Sequence, residues 1–184
     1  VIQPGFSFGS TVRVTTPPYD GEMKEIPVDV VRSARRKRTI QGSVVDGRVR
    51  VLVPAGLPAD EERRMVASMV EKLSRKRRAG VIDLEDRGRL LARRYGLPVA
   101  RSIEWSSRQG QRWASCTPVD GTVRISNRLA AMPDWVIDYV LIHELAHLAS
   151  HGHTERFKTM VARYQLAERA EGYLLAKSEE GVFD

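Results

Sequence analysis

Residues 134–148, DWVIDYVLIHELAHL, constrain this chain more than any other stretch. Val136, Ile137, Val140, Leu141, Ile142 and Leu145 put apolar side chains around most of a helix. A helix that is apolar on nearly every face has to be wrapped by the rest of the protein. Pro133 suits the first helical position, and Asp134 suits the positive end of the helix dipole. Two of the four histidines, His143 and His147, are set into this buried helix. The other two, His151 and His153, follow almost at once.

His143-Glu144-Leu145-Ala146-His147 reads H-E-x-x-H. Four helical residues advance about 6 Å and rotate only about 40° past a full turn, so both imidazoles point the same way. Such a pair can share one Zn²⁺. Glu144 stands one residue on, where it cannot easily ligate. It can instead take the proton of a water that zinc acidifies. A third ligand is then needed. If the helix simply continued, His151 would lie about 12 Å along the axis from His143, too far to share one ion. Gly152 permits a left-handed turn, and His153 follows it. The sequence therefore predicts one zinc per chain on His143, His147 and His153, with Glu144 catalytic and His151 outside the coordination sphere. The plainer alternative is a buried core helix with incidental histidines. A third His so close behind H-E-x-x-H argues against it.

Around this helix the pattern is mixed. Residues 1–22 are rich in Gly, Pro, Ser and Thr and read as a flexible N-terminal arm. Residues 23–58 read as a β-hairpin region, with valines alternating on both sides of a turn at Asp46-Gly47. Residues 59–96 read as two helices. The first has acidic residues at its start, basic residues at its end, and one face built on Met65, Val66, Met69, Val70 and Leu73. The second stops at Gly96. Residues 97–184 read as the metal-binding core. Its strands are RSIEWSS, RWASCTP and TVRIS, with a second Asp-Gly turn at Asp120-Gly121. A last helix is predicted from Thr154 to Lys177. The fold class expected is α+β, with residues 23–184 as a single domain.

Composition narrows the function classes. Thirty Lys and Arg against 23 Asp and Glu give a net charge of +7, and 24 of the 30 are arginine. Arginine favours phosphate and carboxylate partners. The clusters at 32–38 (RSARRKR) and 74–78 (SRKRR) predict weak, salt-dependent binding of nucleic acid or another polyanion. The alternative is a solvated basic surface. One cysteine, Cys116, excludes an internal disulfide framework and fits a reducing cytoplasm. No apolar run is long enough to span a bilayer, and the first residues carry no secretory pattern. A cytoplasmic protein without a membrane partner is expected.

The segments RSARRKRTI, DGRVRVLVP, RWASC, GTVRISNRLAAMP, DYVLIHELAHL and HGHTERF, in this order, resemble the YgjP-like metal-dependent hydrolases. That family is similar to the SprT and Spartan proteases and, more broadly, to the zincin metallopeptidases. The resemblance covers about residues 26–175. It implies a zincin-like catalytic domain with an active-site helix, three histidine ligands and a glutamate base, in agreement with the spacing. Two departures stand out. Ala114 replaces the glycine of R-W-G-S-C, and Thr154 and Lys158 stand in H-S-x-x-F-W where the family has Ser and Trp. Neither touches the metal residues.

The function expected is a zinc-dependent metallopeptidase acting on a peptide or protein. The alternatives are a metal-dependent nucleotide pyrophosphohydrolase, a nucleic-acid-associated SprT-like protease, and a nucleic-acid-binding module with structural zinc. Arg112 and Arg124 are candidate substrate contacts. TVRIS is the candidate edge strand for pairing with an extended substrate. Trp113 is read as core, Cys116 as a small packing residue and Tyr139 as a packed neighbour of His143 that is also placed to stabilise an oxyanion. Asn127 is a candidate brace.

Overall fold

A computed structural model describes residues 6–15, 25–45 and 48–180. The chain divides into two compact units, Val1–Arg77 and Arg78–Asp184. The division falls near the end of a long helix inside the segment 59–96, not at any boundary read from sequence.

The first unit is a four-stranded sheet with a helix. Strands β1 (Phe6–Thr15), β2 (Glu25–Ser33), β3 (Gln41–Val45) and β4 (Arg48–Pro54) lie in the order β1-β2-β4-β3, with β2 and β4 parallel. Part of the expected N-terminal arm is therefore a strand, because its alternating residues pair antiparallel with β2. β3 and β4 pair antiparallel as the valine alternation predicts. The Asp46-Gly47 turn itself lies outside the described residues. Val49, Val51 and Val53 of β4 are buried with Val28 and Val30 of β2. Helix α1 (Ala59–Ala79) adds Val66 and Val70 to this core. A Cβ on Gly42 would run into Met69 and Leu73 of α1, so the glycine permits the close approach of helix and strand.

The second unit is built around the apolar helix. Helix α2 (Leu84–Tyr95) is capped by Asp83, whose side chain accepts from the Asp86 N–H at 2.9 Å. It ends at Gly96 with φ 64°, the left-handed stop expected from sequence. Strands β5 (Ser102–Ser106), β6 (Ala114–Thr117) and β7 (Thr122–Ser126) form a sheet in the order β5-β7-β6. β7, the TVRIS segment expected at an edge, is the central strand. Val123, Ile125 and Ser126 are at most 1% exposed, and β7 is paired on both sides, parallel to β5 and antiparallel to β6.

Helix α3 (Asp134–His147) carries the core of this unit, with Val136, Ile137, Leu141, Ile142, Leu145 and Ala146 fully buried. Pro133 stands just before it, at the cap. Its N-terminal end is held by arginines. Arg78 pairs with Asp134 and donates to the Met132 carbonyl at 3.0 Å, and Arg87 donates to Asp138 at 2.6 Å. The predicted last helix is two, α4 (Glu155–Val161) and α5 (Ala167–Glu180). The break turns Tyr164 inward, where its hydroxyl donates to the Trp135 carbonyl at 2.9 Å. Burial of one aromatic ring outweighs continuity of the helix. Among the described residues no helix is long and apolar enough to cross a membrane.

Candidate metal centre

His143 and His147 occupy the last turns of α3, one turn apart and both half-buried. Beyond His147 the chain stays tight for a few residues, with Ala149 and Ser150 N–H groups donating to the Ala146 carbonyl. Gly152 then adopts φ 72° and reverses the chain. Nothing lies within 4 Å of where its Cβ would stand, so backbone conformation and not crowding selects glycine here. Thr154 caps α4 by accepting from the Phe157 N–H at 3.3 Å, and the Ser150 and Thr154 hydroxyls meet at 2.7 Å. These bonds fix the hairpin that returns His153 to α3.

The three rings converge. His143 Nε2 lies 3.2 Å from His147 Nε2 and 3.3 Å from His153 Nε2, and one nitrogen of each residue falls within 4.8 Å of the others. A tetrahedral ion with bonds of about 2.0–2.1 Å separates its ligands by about 3.3–3.4 Å. The two Nε2 separations match that edge, so the residues fit a zinc-sized ion. His151 is exposed and stands outside the cluster. The ring chemistry agrees. Burial, with His147 and His153 beside it, pushes the His143 pKa down to about 4, and burial lowers that of His147. Both are therefore neutral near pH 7, as ligands must be. His147 Nδ1 faces the Ser150 carbonyl at 3.5 Å. A carbonyl only accepts, so the proton belongs on Nδ1 and the Nε2 lone pair is left for a metal.

Phe157 is the site residue that spacing arguments missed. It is 3% exposed and its ring stacks on His147 at 4.4 Å between centroids, with His143 and His153 each at 4.8 Å edge-on. One buried aromatic thus orients all three imidazoles. The signal for it was present in HTERF, where Phe157 sits three residues after the helix cap.

Glu144 is 7% exposed, and burial raises its carboxyl pKa to about 7. It lines a cleft of about 400 Å³ together with Arg112, Trp113, Ala114, Tyr139 and His143, and α5 closes the other wall. A second cleft, of about 600 Å³, meets the first at Tyr139, His143 and Glu171, and carries His153 and Phe157. Arg112 is exposed on the first cleft. Arg124 is not brought to the site. It projects from the face of β7 opposite Val123 and Ile125, which pack with α3. Trp113 is half-buried, with the Arg128 guanidinium 4.1 Å over its ring and its indole N–H on Ser178 at 3.1 Å. Burial and the Glu144 charge push the Cys116 thiol up to about 11, so it is no nucleophile at neutral pH. Tyr139 is buried against His143 and lines both clefts, its hydroxyl raised to about 12 by burial and then Glu171. Asn127 Oδ1 is buried without a hydrogen-bond partner among the described atoms.

The basic clusters are partly committed to the fold. Arg32 forms a two-pronged pair with Glu62 at 2.6 and 2.9 Å, Arg36 donates to Gln41 at 2.6 Å, and Arg78 is buried at α3. Arg35, Lys37, Arg38, Lys76 and Arg77 are exposed.

Three imidazoles with a buried carboxylate beside them, at the junction of two clefts, define a site of the metal-dependent hydrolase class. Residues 76–167, half of the chain, match the YgjP-like metallopeptidase domain, and the chain belongs to that family. It is accordingly a metal-dependent peptidase domain. The crystal structure of the metallopeptidase zymogen of Methanocaldococcus jannaschii jannalysin is similar over 52% of this chain and 97% of its own, at 20% identity and a TM-score of 0.45. No curated protein matches the chain significantly.

Proposed function

We propose that this protein is a zinc peptidase in which Glu144 is the general base. The observation that carries the reading is the convergence of three imidazoles beside a buried carboxylate on an open cleft. His143, His147 and His153 would hold the ion, and among the described residues no fourth protein ligand joins the cluster, as a purely structural site would require. Zinc bound there supplies Lewis acidity to the attacking water and to the carbonyl under attack.

The chain's own groups do the rest. Glu144, with a pKa near 7, takes the water's proton and returns it to the leaving amine. Tyr139 keeps its proton at neutral pH and presents an O–H donor toward the carbonyl oxygen. β6 is an outer strand of its sheet, and its Ala114 lines the first cleft with Glu144. An extended substrate gains main-chain hydrogen bonds by adding there, the role expected of TVRIS and unavailable to it as the central strand. Arg112 flanks the same cleft as a substrate contact.

The test is a mass-spectrometric digest of a mixed peptide library by the zinc-reconstituted protein. Cleavage that a chelator abolishes and zinc restores supports the reading. Turnover of nucleoside triphosphates with no peptide cleavage would overturn it.

A further inference from the structure

A third cavity, of about 590 Å³, opens beside the second cleft and shares Gln165 with it. Arg93, Arg94, Tyr95, Gly96 and Arg163 make the rest of its lining, and no acidic residue is among them. The three arginines are exposed. Among the described residues none of them is paired with a carboxylate. Elsewhere in the unit Arg78, Arg87 and Arg89 are paired with Asp134, Asp138 and Asp86.

The dipole of α2 accounts for two of these charges, since Arg93 and Arg94 lie in its last turn. It does not account for Arg163, which comes from the link between α4 and α5. Arg163 is fixed in place: its Nη1 donates to the Tyr95 carbonyl at 2.8 Å. Its remaining N–H groups have no protein partner among the described residues. Tyr95 of the lining meets the Tyr164 ring edge to face at 5.8 Å, and the Arg94 guanidinium lies 5.6 Å from the Tyr95 centroid. Planar guanidinium forks in a polar cavity, one of them anchored on a backbone carbonyl, match a carboxylate.

We infer that the Arg93–Arg94–Arg163 basin is a substrate subsite that takes an acidic side chain, or the terminal carboxylate, of a peptide threaded from the second cleft past Gln165. The inference rests on the peptidase reading. Charge along the path sets the order. Glu168 and Glu171, against the single cation Lys158, line the second cleft near the metal residues and disfavour an anion there, while three arginines with no acidic neighbour in the lining favour one beyond Gln165. The acidic residue of a good substrate therefore stands several positions away from the scissile bond, not next to it.

The test uses the zinc-loaded protein and fluorescein-labelled peptides carrying one Glu at successive positions, each matched by a Gln peptide. Binding is read by anisotropy and cleavage in parallel. At one or two remote positions the Glu peptide is expected to bind about tenfold tighter than its Gln counterpart, as one charge-assisted bidentate contact provides. In Arg163→Gln, and in the double variant Arg93→Gln/Arg94→Gln, that ratio falls to about one. The double variant alters only exposed side chains, so the test stands even if Arg163→Gln does not fold. Equal binding of Glu and Gln peptides by the wild type, or a ratio that survives the double variant, overturns the inference. So does a loss of labelled single-stranded DNA binding in the variants with the peptide ratio unchanged, which makes the basin a polynucleotide contact. If the Glu preference appears and no peptide is cleaved, the basin stands and the peptidase reading falls.

Discussion

His153 and His151 flank the same glycine, yet only one of them reaches His143. His153 Nε2 stands 3.3 Å from His143 Nε2, while His151 is exposed outside the cluster. The two substitutions should therefore behave differently although the residues are neighbours. His153→Ala is expected to lose stoichiometric zinc on dialysis, and His151→Ala to keep one zinc per chain. Atomic absorption on the two variants checks this, and the reverse pattern would exchange the ligand assignment. Burial acts on the other two imidazoles in the same direction, keeping them neutral and ready to bind.

At the scale of elements, the site depends on the break between α3 and α4. Gly152 holds φ 72°, a conformation that costs an L-residue about 1–2 kcal/mol. Gly152→Ala meets no steric obstacle, so its whole effect is backbone strain. It is expected to leave the fold of α3 intact by circular dichroism and to weaken zinc binding about tenfold in a chelator competition. An unchanged affinity would mean that the hairpin does not place His153. This break was legible in the sequence because it is local: a glycine between two histidines at the end of a periodic segment. The i, i+4 pair, the Gly96 stop and the antiparallel pairing of β3 with β4 were legible for the same reason. What escaped is non-local. Nothing in TVRIS says that β6 and β5 lie on either side of it; that order comes from packing against α3. The helix predicted from Thr154 to Lys177 breaks because Tyr164 finds the Trp135 carbonyl, a partner 29 residues back. Arg124 leaves β7 by the face opposite Val123 and Ile125, as the alternation in TVRIS predicts.

Across the whole molecule, a buried acid ties folding to pH. The Glu144 carboxyl titrates near 7 when folded and near 4.5 when unfolded. Between these values the native chain binds a proton that the unfolded chain has released, so this group lowers stability as pH rises through that window. Its contribution is fully present below about 4.5 and lost above about 7. His143 acts in the opposite sense. Its folded pKa is depressed to about 4, so its contribution is present above the unfolded value of 6.5 and lost as pH falls toward 4. Urea unfolding of chelated wild type and Glu144→Gln separates the two, since His143 is common to both. The variant's stability relative to wild type is expected to grow by roughly 2–4 kcal/mol from pH 4.5 to 8. A difference that stays flat with pH would mean that Glu144 is charged throughout.

Glu144→Gln also gives the most direct test of the account, because glutamine keeps the shape of the side chain and cannot accept the proton. Zinc content and peptide turnover are measured on the same preparations of wild type and variant. The account predicts one zinc per chain in both and a fall in kcat of about 10²–10⁴-fold in the variant. Equal turnover at equal zinc would contradict it, because the proton would then leave the water by a route that does not include Glu144.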